Sequence, residues 1–271
     1  MKQKLLCWAC MLLVLSGCTG AATPKEEPVI YEEPVYRFET VTTCEEICAE
    51  DGQLLLEYNY QFLTMSVENM AALSPEDQTR SAECAAVFNE RMETFMEEAV
   101  AFGRSCGENA KESYRQSGFI GAFSDATTTG GYLCGRIVSV WMENYSYMGG
   151  AHGNSGTTGC LFDLSTGSFI DPMQIAENPE AFRLGAAELL LAKAEANAEK
   201  AADYWNDYKD IISRWNEGTV IFDKTGMTVV YSPYEIGPYT LGTVKLSLSY
   251  DELSPLLGQE GLEKLGVTKA E

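Results

Sequence analysis

The sequence predicts an α+β fold with a largely antiparallel sheet and two long helices, in the order ββα-βββ-α-ββ. Two observations support this class. Strand-like and helix-like segments occur in groups along the chain and do not alternate strictly, which is typical of α+β proteins. Apolar residues make up 45% of the chain, which is enough to fill a core between a sheet and its helices.

The first predicted elements are a hairpin and a long helix. Residues 37–41 and 54–62 are strand-like segments that flank a turn at Asp51-Gly52, a pattern typical of a β-hairpin. Ser74-Pro75-Glu76-Asp77 then predicts the start of a helix, since serine suits the N-cap and proline the first turn. The helix is continued by an apolar stripe formed by Phe88, Met92, Phe95, Ala99 and Phe102.

The second half predicts three strands, a helix and two more strands. Strands are expected over residues 119–126, 131–145 and 157–164, with a loop over 146–156. Asn178-Pro179-Glu180 predicts the start of a second long helix that runs to about Trp215. Its apolar face is formed near its end by Tyr204, Tyr208, Ile211 and Trp215. Strands at 227–231 and 241–250 and a short helix at 251–257 complete the order.

Residues 1–17 are expected to be a lipoprotein signal peptide. Lys2 and Lys4 flank the start of an apolar run over residues 5–15. The run is shorter than the roughly 20 residues of a membrane-spanning helix and is typical of an export signal. The string 15–18 (LSGC) resembles the lipobox of bacterial lipoproteins, so Cys18 is expected to carry the lipid that anchors the protein outside the cytoplasm. An ordinary cleaved signal with a chance cysteine is the alternative.

The chain after the signal peptide is expected to have four parts. Residues 18–35 contain three prolines and four glutamates and predict an extended tether behind the lipidated cysteine. An N-terminal module is expected over residues 36–130 and a C-terminal module over 131–258. Residues 259–271 are assigned to a tail.

The charge of the protein limits its partners. The formal net charge is −21, and it becomes −23 without the signal peptide, which carries Lys2, Lys4 and no acidic residue. Nucleic-acid binding requires a basic surface, so no nucleic-acid partner is expected. An acidic field favours cationic partners, although it also serves solubility.

Six cysteines follow Cys18, and their pairing is left open by the sequence. An even number in an exported protein is typical of disulfides, and free thiols are the alternative. Two pairs are excluded if the predicted elements form, since the partners would lie about 33 Å apart on one helix and about 13 Å apart on one strand. These pairs are Cys84 with Cys106 and Cys44 with Cys48; the other two cysteines are Cys134 and Cys160.

His152 is the only histidine, which restricts the catalytic options. Ser155 follows it by only three residues, a spacing that fits no Ser-His-Asp order. A two-histidine zinc motif is impossible, and Cys44 and Cys48 are one residue too far apart for a zinc knuckle. We therefore expect no catalytic site, no metal and no cofactor. The alternative is an uncharacterised hydrolase of envelope polymers that uses two of the forty acidic residues.

The string 149–154 (GGAHGN) is the most distinctive loop of the sequence. Its glycines and asparagine permit positive φ angles and close backbone approach. We interpret it as a corner between two strands, with His152 hydrogen-bonded to the backbone. The alternative is a ligand-binding loop, for which the candidate residues are Gly149, Gly150, His152 and Asn154.

Three strings of this chain resemble the PdaC/RsiV-like family. They are residues 149–154, 162–167 (FDLSTG) and 231–253 (YSPYEIGPYTLGTVKLSLSYDEL). The resemblance covers residues 36–257 and implies a PdaC-type N-terminal domain of unknown function followed by an RsiV-type C-terminal domain of unknown function. In this family such modules accompany peptidoglycan deacetylases and form the outer part of an anti-sigma factor that recognises lysozyme.

The resemblance implies a recognition module of the cell envelope without catalytic activity. The deacetylase domain with its metal-binding histidines and the membrane helix of the anti-sigma factor have no counterpart in the sequence, so neither activity is carried over. The expected ligand is cell-wall glycan or a cationic protein such as lysozyme. Tyr234 and Tyr239, both within the third string, join the candidate ligand-binding residues.

Overall fold

A computed structural model describes residues 31–118, 121–196 and 201–267 of the protein and confirms the α+β class. Within these residues the strands form one sheet of six and one sheet of three. The signal peptide, Cys18 and the first part of the tether lie outside the described residues. In the described ranges no helix is both long and apolar enough to cross a membrane.

The larger sheet contains six strands in sequence order, in which β2 and β3 are parallel and all other neighbours are antiparallel. These strands are β1 (Tyr36–Cys48), β2 (Leu54–Val67), β3 (Phe123–Cys134), β4 (Ile137–Tyr147), β5 (Asn154–Asp163) and β6 (Ser168–Ile170). The smaller antiparallel sheet contains β7 (Thr219–Phe222), β8 (Gly226–Tyr231) and β9 (Val244–Ser249). In the described residues the helices are α1 (Pro75–Ser117), α2 (Pro179–Ala196), α3 (Tyr208–Ser213) and α4 (Tyr250–Lys264).

The predicted hairpin and first helix are confirmed, and both extend beyond their predicted limits. The Ser74 hydroxyl caps α1 by accepting a bond from the Asp77 amide at 3.1 Å. Phe88 and Met92 are buried against the large sheet as predicted. Phe102 is 53% exposed, so the predicted stripe is wrong at its end. There α1 turns Gly103 towards the sheet, where a glycine lets the helix backbone approach closely.

The central strands differ from the prediction in their limits. The segment predicted as one strand over 131–145 contains the end of β3, a two-residue turn at 135–136 and most of β4. The strand predicted from residue 119 begins at Phe123, and residues 119–120 lie outside the described chain. β6 and β7 were not predicted, because three and four residues are too few to show a clear alternation.

The second long helix does not continue to Trp215. α2 ends at Ala196, residues 197–200 lie outside the described chain, and α3 is a separate short helix. The reason is a tertiary contact: the indole nitrogen of Trp215 donates to the carbonyl of Arg183 at 2.9 Å. On one continuous helix these residues would lie about 48 Å apart, so the chain must reverse between them.

The C-terminal residues continue the fold beyond the predicted short helix. α4 begins at a capping box in which Ser249 and Glu252 bond each other's backbone amides. It bends at Gly258 and continues to Lys264, so residues 259–264, assigned to a tail from the sequence, are helical. Leu262 and Leu265 are buried, which shows that this segment belongs to the core.

The cores lie on either side of the junction between the two sheets. One lies between α1 and the large sheet, and the other between the small sheet and helices α2, α3 and α4. The sheets are joined by direct bonds: the Phe222 amide donates to the buried Ser139 hydroxyl at 2.9 Å, and the Thr219 hydroxyl to the Thr157 carbonyl at 2.7 Å. The boundary expected between residues 130 and 131 falls inside β3, and the division into two modules stays a prediction.

The six cysteines are unpaired in the structure. Cys84 and Cys106 both lie on α1, and Cys44 and Cys48 both lie on β1. The two geometric premises that excluded these pairs therefore hold.

Candidate functional site

Three aromatic side chains predicted separately as ligand-binding residues lie together where the β4–β5 loop meets the segment between β8 and β9. The rings of His152 and Tyr239 are stacked, with centroids 3.7 Å apart and an angle of 14° between planes. The ring of Tyr234 lies 5.7 Å from that of Tyr239 and is tilted by 36°. We call His152, Tyr234 and Tyr239 the aromatic platform. Tyr234 is 49% exposed, so the platform is open to a ligand.

The β4–β5 loop holds the histidine ring in place. Nδ1 of His152 lies 2.9 Å from the carbonyl oxygen of Gly153. Since a carbonyl only accepts, Nδ1 must donate, and in the neutral ring Nε2 is left as an acceptor. The Tyr147 hydroxyl donates to the Gly150 carbonyl at 3.2 Å, and Gly149 and Gly150 have φ angles of 93° and 96°. The predicted corner with a backbone-bonded histidine is present, and the corner also carries part of the platform.

Tyr234 occupies a backbone position that normally requires glycine. The amide of Glu235 donates to the carbonyl of Ser232 at 3.0 Å, which closes a four-residue turn with Pro233 in its second position. Tyr234, in the third position, has a φ of 73° and is the one described residue other than glycine with positive φ. This is the pattern of a type II turn. An L-residue in this conformation is strained, and such strain is concentrated at functional sites.

The remaining candidates are placed differently. Gly149 and Gly150 lie in the loop beside the platform. Asn154 begins β5 opposite Ser146 and, because side chains alternate along a strand, projects from the opposite face to Ser155. Tyr145 was not predicted from the sequence as part of this region. Its ring packs on the platform loop, since a Cβ added at Gly153 would lie 2.5 Å from the hydroxyl oxygen of Tyr145. The adjacent Gly153 was the available signal.

A cleft of about 710 Å³ lies away from the aromatic platform, between the β1–β2 turn and the end of α1. Three of its four charged side chains are already bonded: Lys111 lies 2.9 Å from Glu108, and Arg115 lies 3.3 Å from Glu112, whereas Glu50 has no such partner among the described residues. The Asp51 carboxylate accepts a bond from Tyr114 at 2.8 Å. Because most polar side chains of this cleft already have partners within the protein, we place the candidate site at the aromatic platform.

The pKa shifts of carboxyl groups in the described chain bear on the alternative of a carboxylate-dependent hydrolase. A general acid of the glycosidase type needs a carboxyl group whose pKa is raised. The resolved shifts of carboxyl pKa in the described residues are downward. The bond from Lys193, with those from Ser249, lowers the pKa of Glu252 to about 2, and the bond from Tyr58 lowers that of Glu45. Among the described residues no group of three or more histidine, cysteine or acidic side chains is arranged to hold a metal ion.

Together, these features define an α+β protein of two joined sheets that presents an exposed aromatic surface at their junction. Residues 180–251 match the family model "Protein of unknown function (DUF3298)". The match begins in α2 and ends in the first turn of α4, so it includes Tyr234 and Tyr239 but not His152. It lies inside the predicted C-terminal module. The comparison with curated proteins gives no match.

Two solved structures resemble the chain over most of its length. A member of the DUF3298 family from Bacteroides fragilis NCTC 9343 has a TM-score of 0.61 and 18% identity, covering 86% of this chain and 97% of that chain. A DUF3298 family protein from Pseudomonas aeruginosa PAO1 has a TM-score of 0.53 and 16% identity, covering 84% and 96%. At these identities the likeness shows a shared fold.

Proposed function

We propose that this protein is a recognition protein of the bacterial cell envelope, without catalytic activity, that binds cell-wall glycan through the aromatic platform. The observation that carries the proposal is that Tyr234 is exposed and has a positive φ angle, a backbone conformation that glycine would adopt with less strain. Tyrosine combines a flat apolar ring with a polar end, which suits a sugar, whose ring has an apolar C–H face and polar edges.

The geometry of the platform supports a glycan ligand. The His152 and Tyr239 rings are stacked on each other, and the tilted Tyr234 ring extends this aromatic group towards solvent. Ligand sites commonly combine apolar and aromatic walls with a few polar groups. Nε2 of His152 supplies one such polar group beside the rings.

The proposed location follows from the N-terminal sequence. Cleavage after Gly17 and lipidation of Cys18 would anchor the protein to the membrane on its outer side. The tether of residues 18–35 would hold the folded part near the wall, since its sixteen residues 19–34 reach about 50 Å when extended. The PdaC/RsiV-type resemblance agrees with an envelope role and forms part of this proposal.

The proposal is tested by binding of the purified protein to insoluble peptidoglycan. We expect His152→Ala and Tyr239→Ala each to weaken binding roughly 2- to 10-fold, the value of one aromatic contact. Tyr132→Ala is the matched control, since Tyr132 is also an exposed tyrosine, with 40% of its surface accessible. It lies near the turn of the β3–β4 hairpin, about 26 Å along the strands from the end of the hairpin that borders the platform. Equal loss in all three variants, or no binding by the wild type, would contradict the proposal.

A cationic protein such as lysozyme is a second candidate ligand, and the formal net charge of −23 without the signal peptide (−21 for the full chain, less Lys2 and Lys4) favours it. Electrostatic steering would make the association rate fall as salt shortens the Debye length from about 30 Å at 0.01 M to about 8 Å at 0.15 M. Surface plasmon resonance against lysozyme at these two salt concentrations measures both rates. Absence of binding at low salt would remove lysozyme from the candidates.

A further inference from the structure

A polar groove borders the aromatic platform on one face of the large sheet. In the register of β3, β4 and β5, Thr128 pairs with Glu143 and Glu143 with Thr157. Two residues along, Ala126 pairs with Tyr145 and Tyr145 with Ser155, so the two rows share one face. The groove has a volume of about 290 Å³. It is lined by Ala126, Thr128, Glu143, Asn144, Tyr145, Ser155, Gly156, Thr157 and Thr243.

The polar groups of this groove are largely unused by the protein. The hydroxyls of Thr128 and Ser155 have no hydrogen-bond partner among the described residues, and both side chains are exposed. The carboxylate of Glu143 lies 3.7 Å from Lys245, which is an ion pair at longer than hydrogen-bond distance. The two hydroxyls are therefore free to bond a ligand rich in hydroxyl or amide groups, and the Glu143 carboxylate can accept a further hydrogen bond beside its ion pair.

Tyr145 makes the groove continuous with the aromatic platform. Its side chain lines the groove and also packs against Gly153, whose carbonyl oxygen fixes the ring of His152. On the other side, the Ser232 hydroxyl accepts a hydrogen bond from the Thr157 amide at 3.0 Å. Ser232 is also the first residue of the turn that presents Tyr234. Tyr145 and Ser232 therefore connect a strip of hydrogen-bonding groups in the groove to the aromatic rings of the platform.

We infer that the ligand is an oligosaccharide of at least two units, of which one stacks on the aromatic platform and the next is hydrogen-bonded in the polar groove. This inference rests on the proposed function and adds the size and polarity of the ligand. The groove volume lies just below the range of about 300–1,000 Å³ for ligand sites, which suits a single sugar unit beside the stacked one. A monosaccharide would occupy only half of the strip.

The test is calorimetric titration of the purified protein with N-acetylglucosamine oligomers of one to six units. We expect affinity to rise about tenfold between the monomer and the short oligomers, since one or two net hydrogen bonds supply that factor. The double variant Thr128→Val with Ser155→Ala should lose this rise and keep the affinity for the monomer. Thr158→Val is the matched control, because Thr158 is exposed on the opposite face of β5.

The outcomes separate this inference from the proposed function. Binding that depends on Tyr239 but not on oligomer length would overturn the inference alone. An unchanged length dependence in the double variant would also overturn it. Absence of any binding, to the oligomers and to peptidoglycan alike, would overturn the proposed function and the inference together.

Discussion

Replacing Tyr234 by glycine separates the role of its side chain from its effect on stability. An L-residue in the left-handed region costs about 1–2 kcal/mol, and Tyr234 has a φ of 73°. Glycine at this position removes that cost, but it lowers the free energy of unfolding by about 0.4–1 kcal/mol because the unfolded chain gains conformational freedom. Tyr234→Ala removes the same ring and keeps the strain. We therefore expect Tyr234→Gly to be about 1 kcal/mol more stable than Tyr234→Ala.

The assay combines thermal unfolding with glycan binding. For a protein of this size, 1 kcal/mol corresponds to about 2–4 °C in Tm. Both variants should bind peptidoglycan roughly 2- to 10-fold more weakly than the wild type, whereas Tyr234→Phe, which keeps the ring and loses only the hydroxyl, should lose less affinity than either of them. If the alanine variant equals or exceeds the glycine variant in Tm, the strain is absent. If Tyr234→Gly binds normally, the side chain has no part in recognition.

Three further predictions concern the scaffold and the anchor. Gly103→Ala should lower the free energy of unfolding by about 1–2 kcal/mol, because the new Cβ would lie 2.8 Å from Cδ1 of the buried Tyr58. The cost of this overpacking exceeds the gain in helix propensity from alanine. Equal or higher stability of the variant in urea unfolding would contradict this prediction. Glu252, whose pKa is lowered to about 2 mainly by Lys193, stabilises the fold above its unfolded pKa of about 4.3 and loses this effect as pH falls through about 2. The stability difference between wild type and Glu252→Gln should therefore shrink on acidification, and a difference that grows would refute it. Cys18→Ala should move the protein from the membrane to the soluble fraction, and recovery in salt-washed membranes would exclude lipid anchoring through this residue.

Local signals predicted the parts of the fold that depend on neighbouring residues. Ser74 and Pro75 marked the start of α1, and Asp51-Gly52 marked the β1–β2 turn, because capping and turn formation involve residues a few positions apart. The apolar face near the expected end of the second helix was also correct in burial, since Tyr204 and Trp215 are both in the core.

Long-range contacts account for what could not be predicted. The bond from Trp215 to Arg183 requires the chain to reverse direction between these residues, and the sequence over residues 186–214 contains no proline or glycine that would have predicted a turn. The aromatic platform was predicted only as separate residues, since nothing local indicates that His152 stacks on Tyr239. The polar groove was missed altogether, because its threonines and serine come from different strands and appear in the sequence as ordinary exposed positions.

The connection between β2 and β3 has a consequence for folding kinetics. These parallel neighbours are separated in sequence by the whole of α1, whereas β1–β2 and β3–β4–β5 are joined by short turns. Distant pairings form slowly because the intervening chain must first be closed. We expect the two local hairpin units to acquire protection first and the amides that pair Leu56–Tyr60 with Phe123–Thr127 to acquire it last. Pulsed hydrogen exchange during refolding measures this order, and early protection of the parallel pair would show that α1 brings the strands together before the hairpins are complete.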